Sequence, residues 1–281
     1  MSISNLPSST NSLEKIRFPK RHHRQTHWQV LGVIALGLVM VSTNLEAEET
    51  FDVDWSTLGS LVPEQSDPDS RIAFVSKLSS HSIVAGLETK PPNPFPGSEA
   101  SLYVTAENPD DTWFRFVARP FVEQSAAQGA MEFEFSLVTG AINFSLGHCD
   151  QPWTPGNLST YSVTHMKFLV VFAVDQEVQI AGRSYQTGSI STLSAGENYR
   201  FLIKWDMATP ERFAYFLNGE PLTPLTGSAH NFSGTSADTG IDAFRIAIGG
   251  PEDHLGSFFL GRISARSVPV DFLNPEGLLE K

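Results

Sequence analysis

The chain has 281 residues, of which 18% are charged, and its 19 Lys and Arg against 31 Asp and Glu give a net charge of −12. Low charge together with 20 Phe, 21 Gly and 18 Pro excludes a coiled coil, a disordered chain and a polytopic membrane protein. Residues 1–47 hold five basic side chains (Lys15, Arg17, Lys20, Arg21, Arg24) against Glu14 and Glu46. The remainder carries 14 basic and 29 acidic residues, a net −15. Such a body repels phosphate backbones, so no nucleic-acid partner is expected.

Residues 1–27 are polar, Ser-rich and basic toward their end, and Val30 to Val41 form an apolar run of twelve residues. A spanning helix needs about 20 such residues and the core of a signal peptide about 7–15. The pattern predicts an exported protein whose leader, residues 1–47, is a signal peptide cut after Ala47, or after Thr43. The alternative is a single N-terminal membrane anchor. Either way the positive flank stays in the cytoplasm and the body is exported to the periplasm, cell surface or medium. The lone cysteine, Cys149, allows no internal disulfide and no Cys-based zinc site. None follows the apolar run, which excludes a bacterial lipoprotein anchor.

From Phe51 onward, strand-length segments alternate with Gly, Pro, Asn and Asp, the pattern of an all-β sandwich or barrel. Early strands are expected at 72–75, 102–106 and 113–117, and 90–97, with four prolines, reads as an extended loop. Along Met131–Leu137, Phe133, Phe135 and Leu137 point one way and Glu132, Glu134 and Ser136 the other. A two-residue turn at Thr139-Gly140 would pair Leu137 with Ile142, Ser136 with Asn143, Phe135 with Phe144 and Glu134 with Ser145. Apolar then meets apolar and polar meets polar, so a hairpin is expected. Met166–Val174, apolar except for Lys167, reads as a central strand covered on both faces. Tyr199, Phe201, Ile203 and Trp205 alternate with Arg200, Leu202, Lys204 and Asp206 as a half-buried strand. A strand at 212–217 runs into Asn218-Gly219, the strongest short hairpin signal, and 241–248 and 258–268 give two more. The β body is placed at 48–268 and a tail or short terminal helix at 269–281.

Four stretches resemble the concanavalin A-like (laminin G-like) jelly-roll domains of exported bacterial proteins. They are Pro96-Gly97-Ser98-Glu99-Ala100-Ser101-Leu102-Tyr103-Val104; Phe133–Leu146 ending in Gly147; Leu193–Phe201 running through Trp205-Asp206 to Tyr215–Gly219; and the pair 241–248 and 258–268. The resemblance covers roughly 51–268 and implies an all-β, two-sheet antiparallel jelly-roll sandwich. It departs from the family where an acidic residue often precedes the last apolar run, since Gly261-Arg262 stand there instead.

Glu132 and Glu134 sit i, i+2 on one strand face, which puts their carboxylates about 6–7 Å apart. Glycoside hydrolysis uses carboxylate pairs at about 5–9 Å. Jelly-roll hydrolases resembling this fold carry Glu-x-Asp-x-x-Glu, and here the third acid is missing, so the expectation is a solvated outer strand face. Asp52 and Asp54, at the chain's approach to the sandwich, and Asp238 and Asp242 are the residues a structural calcium would use, as jelly rolls often hold one where the chain ends meet. Trp113, Trp153, Tyr161 and Tyr185 are the aromatic candidates for sugar stacking, because a pyranose has one apolar C–H face beside polar edges; Asn143 is counted with them as ligand-binding. The eight His have no metal-ligand spacing, and no phosphate loop, nucleophile elbow or zinc-protease helix is present. The resulting expectation is an exported, non-catalytic module binding carbohydrate or another envelope polymer. Its rivals are a polysaccharide-cleaving enzyme using Glu132 and Glu134, and a structural or adhesive envelope module.

Overall fold

The computed structural model describes residues 48–53, 55–56, 66–67, 71–76, 81–85, 92–105, 113–121, 126–148, 165–208, 213–227, 240–249, 256–269 and 271–279, with backbone alone at 66–67, 73–76, 81–85, 113–115, 165 and 249. The leader and the proposed cleavage site lie outside the described residues. The strands in chain order are β1 (Thr50–Val53), β2 (Ser66–Asp67), β3 (Ile72–Ser76), β4 (His81–Ala85), β5 (Ala100–Val104) and β6 (Trp113–Ala118). They continue with β7 (Gln128–Thr139), β8 (Ala141–His148), β9 (His165–Ala173), β10 (Val178–Ile180), β11 (Arg183–Gln186) and β12 (Asn198–Asp206). The last are β13 (Phe213–Leu217), β14 (Glu220–Pro221), β15 (Thr223–Pro224), β16 (Ala243–Gly249) and β17 (Ser257–Arg266).

Every pairing in the two sheets is antiparallel. The first runs β14-β13-β12-β7-β17-β5-β4 with β1 also on β17, and the second runs β15-β11-β10-β9-β8-β16-β6-β3-β2. This is an all-β sandwich of two antiparallel sheets. Its single large core takes the inward row of each central strand: Phe133, Phe135 and Leu137 from β7, Tyr199, Phe201, Ile203 and Trp205 from β12, Phe144 from β8, and Phe168 and Phe172 from β9. Period-2 alternation places these rows, and packing them removes their apolar area from water. Aromatic rings meet across the gap, with centroids of Phe133 and Phe144 4.9 Å apart and of Phe135 and Phe172 4.5 Å apart.

One expectation fails here. β7 and β8 are not a hairpin: β7 pairs with β12 and β17, while β8 pairs with β9 and β16 in the opposite sheet. The chain arches over the core at Gly140, whose φ is +69°. The face matching that favoured a hairpin is still obeyed, because Phe133 and Phe144 face one core from opposite sides and not from adjacent strands. Gly256 at the start of β17 approaches this arch so closely that a Cβ would collide with the Thr139 carbonyl. The Asn218-Gly219 hairpin does form. Both residues take positive φ, +53° and +81°, and Leu217 pairs with Glu220 across the two-residue loop, as a type I′ turn requires.

β17 carries a bulge. Leu260 pairs with Phe135 and Ile263 with Phe133, so Gly261 and Arg262 together oppose the single residue Glu134. On the other edge β5 pairs with Phe258–Leu260 and β1 with Ile263–Arg266, so the bulge divides the edge between two strands. Bulged backbone groups lose their ladder partners, and side chains replace them. The Trp55 indole donates to the Gly261 carbonyl at 2.6 Å, and Glu134 accepts the Arg262 N–H at 3.1 Å.

Residues 271–279 form no helix. They lie as an irregular strap against the outer face of the first sheet, fixed by Lys204, which donates from Nζ to the carbonyls of Asn274 at 2.6 Å and Asp271 at 3.3 Å. Leu278 packs on Ala130, Leu202 and Phe216. Leu202 and Lys204, expected on a half-buried strand's wet side, are therefore buried. Burial pulls the Lys204 ammonium down from its ordinary pKa, opposed by the charges of Asp271, Glu276 and Glu132.

Candidate functional site

The outer row of β7 does carry Glu132 and Glu134, but not as a solvated face. Glu132 is 1% exposed. Its Oε2 accepts the backbone N–H of Leu278 at 2.5 Å and of Leu279 at 2.8 Å, and its Oε1 lies 2.8 Å from Arg200 Nε. Burial pushes this carboxyl above its ordinary value, outweighing the two amides and Arg200, which pull it down, while the charge of Glu134 pushes it further up. Glu134 is gripped from the other side: Arg262 donates to it from Nη2 at 2.8 Å and from Nε at 3.1 Å. The Glu134 hydrogen bonds raise the Arg262 guanidinium above its ordinary value. Two adjacent carboxylates are thus claimed by two arginines on opposite neighbouring strands, a use that the missing third acid leaves open to them.

Beside Glu132 a cleft of about 490 Å³ opens between the β12–β13 end of the sheet and the strap, lined by Arg200, Asn218, Gly219, Pro275, Glu276, Gly277 and Leu279. Its size falls within the about 300–1,000 Å³ of small-ligand clefts. The turn that makes Asn218 and Gly219 special also shapes this wall: Asn218 Oδ1 accepts the Arg200 N–H at 2.8 Å, which leaves its amide nitrogen as a donor. Arg200 is 25% exposed and uses Nε on Glu132, so a buried carboxylate fixes the orientation of its fork. Glu276 Oε2 accepts from Asn274 Nδ2 at 3.0 Å. Donors, a carboxylate acceptor and the apolar Pro275 and Leu279 therefore share one concave surface.

The chain is similar to several solved β-sandwich structures. Winged bean acidic lectin, solved with methyl-α-D-galactose, is 11% identical over 79% of this chain and 100% of that one, with a TM-score of 0.42. Lectin II from Ulex europaeus is 14% identical over 78% and 98%, with a TM-score of 0.40. A sialidase is 9% identical over 71% of this chain, TM-score 0.42, and this chain spans only 17% of it. No protein-family model matches the chain, and no curated protein does.

Of the other sequence candidates, Tyr185, Asn143, Asp52 and Asp242 do not line the cleft. Tyr185 is fully buried, and its hydroxyl accepts from Tyr215 at 3.2 Å, so its ring belongs to the core and offers no face to a sugar. Burial and this contact push the Tyr215 hydroxyl far up. Asn143 is half-buried on β8 in the other sheet, paired with Val171 and Ala247. Trp113 lies in β6 opposite Gly249, described by its backbone alone. Trp153, Tyr161, Asp54 and Asp238 lie outside the described residues. Asp52 is exposed on β1 opposite Ser264. Asp242 is buried, with Arg119 Nη2 at 3.1 Å and His148 Nδ1 at 3.0 Å. Among the described residues, no three His, Cys, Asp or Glu side chains converge to hold a metal ion.

Sequence reasoning missed Arg200, Gly277 and the rest of the strap side of the cleft. The usable signal was local: Asp271 and Asn274 each accept the N–H two residues on, at 2.9 Å, the turn chemistry that excludes a terminal helix.

Burial of Glu132 makes strap docking pH-dependent. Its docked pKa lies above the ordinary 4.5, so its ionised form costs docking energy above the docked pKa. That cost is relieved as pH falls through the docked value toward 4.5. Amide-exchange protection of Leu278 and Leu279, corrected for intrinsic rates, is expected to rise from pH 8 to pH 5 in the wild type and to stay flat in Glu132→Gln. Protection that falls with acid in the wild type would contradict the sign.

Proposed function

We propose that this chain is an exported bacterial binding module without catalytic activity, and that its ligand is a carbohydrate or another polymer of the cell envelope or exterior. The cleft beside Glu132 carries this reading. Vicinal sugar hydroxyls need donors and acceptors together, which Arg200, Asn218 and Glu276 supply, while Pro275 and Leu279 offer apolar surface to the C–H face. The commitment of Glu132 to the strap and of Glu134 to Arg262 supports binding over hydrolysis, because a hydrolase needs one carboxyl able to give its proton to the leaving oxygen and a second acting on the same sugar. Export rests on the basic flank and apolar run at 30–41, and a structural calcium is kept as an expectation of the fold resemblance.

An array of neutral and acidic oligosaccharides, probed with the labelled full-length chain, tests the reading. Arg200→Ala is expected to weaken retention at least tenfold. Retention kept in Arg200→Ala and lost in Trp153→Ala would move the site to Trp153. Release of reducing ends from any polysaccharide by the wild type would sink the non-catalytic reading.

A further inference from the structure

We propose that residues 271–279 are a strap that makes the binding cleft, so that ligand binding and strap docking are one coupled equilibrium with Glu132 as its positioning residue. The inference rests on the carbohydrate reading above. Pro275, Glu276, Gly277 and Leu279 form the strap wall, while Arg200, Asn218 and Gly219 form the sheet wall. One carboxylate holds both: Glu132 takes Arg200 Nε on one oxygen and the Leu278 and Leu279 amides on the other. The strap adds no strand to the sheet. Among the described residues, its anchors to the sheet besides Glu132 are the two carbonyls held by Lys204 and the Leu278 contact, few enough to open without unfolding the sandwich. A ligand bridging the two walls binds only the docked form. It must therefore strengthen docking by the same factor by which docking strengthens its binding.

Gly277 allows the coupling to be broken from the strap alone. A Cβ there would lie on the Glu132 carboxylate, so Gly277→Ala breaks the fit between the strap and that carboxylate while changing no strand residue. Leu273, on the same strap but 90% exposed, supplies the control.

The experiment pairs amide exchange of the full-length chain with the oligosaccharide array. Gly277→Ala is expected to speed exchange at Leu278 and Leu279 at least tenfold, to weaken array binding by a similar factor, and to leave protection in β7 and β12 unchanged. Leu273→Ala should alter neither. Glu132→Ala should reproduce the Gly277→Ala result, and Glu132→Gln, which keeps one acceptor oxygen and carries no buried charge, should restore docking and binding. Fast exchange with undiminished array binding would overturn the coupling and leave the proposed function standing. Unchanged exchange in Gly277→Ala would overturn the strap's docking chemistry. A wild-type chain with protected strap amides but no array signal would overturn the proposed function and the coupling with it.

Discussion

Replacing Phe135 by alanine is expected to destabilise the sandwich by about 3–5 kcal/mol, the range for emptying a buried phenylalanine site. The ring is fully buried. It lies 4.5 Å from Phe172 of the facing sheet, 5.4 Å from Tyr199 and 5.7 Å from Phe133, centroid to centroid. Those neighbours belong to three strands fixed by their own ladders, so they cannot collapse into the space left behind, and the cavity penalty adds to the lost transfer energy. Equilibrium urea unfolding, with the slope compared to rule out a change in the denatured state, measures the loss. A value below about 1 kcal/mol would mean that the ring does not join the two sheets.

Glu134→Ala is the second large effect, about 1.5–3 kcal/mol from charged hydrogen bonds lost at a partly buried site. The substitution removes the acceptor for the Arg262 guanidinium and for the N–H that the β17 bulge frees from the ladder. Arg262 is about a third exposed, so water recovers part of the cost and keeps the figure below that of a fully buried ion pair. Thermal unfolding should show the loss, with Glu134→Gln intermediate because one oxygen survives. A fully neutral Glu134→Ala would mean that the bulge holds without its carboxylate. A paired Gln substitution of Glu132 and Glu134 therefore weakens the bulge and alters strap docking before it reports on any chemistry.

Local periodicity told which side chains face the core but not which strands are neighbours. The rows Phe133-Phe135-Leu137 and Ile142-Phe144-Leu146 read equally well as one hairpin or as two facing sheets. Only Gly140, a single residue of the arch, separates the two cases. β12 and the Asn218-Gly219 turn were legible because alternation and positive-φ chemistry act within a few residues. The short strands β10, β14 and β15 were not, because two or three residues carry no period. Burial of Glu132 could not be read locally at all, since the residues that cover it lie more than 140 positions downstream. Tyr185 was legible as core from its place between Ser184 and Gln186, where alternation along β11 turns it inward.

β1 closes against β17, joining Thr50 to Arg266 and Val53 to Ile263, and the Glu49 N–H donates to the Ser267 hydroxyl at 2.8 Å. The first described strand therefore waits for the last. Among the described residues, β1 has no ladder to enter during synthesis until more than 200 further residues have followed it, and β7 too lacks its β17 neighbour until then. Such long-range closure is slow, and in the interval exposed strand edges can pair with other chains. Yield on expression should therefore depend on how quickly the final strand arrives, making β17 the segment whose mutations decide whether the chain matures or aggregates.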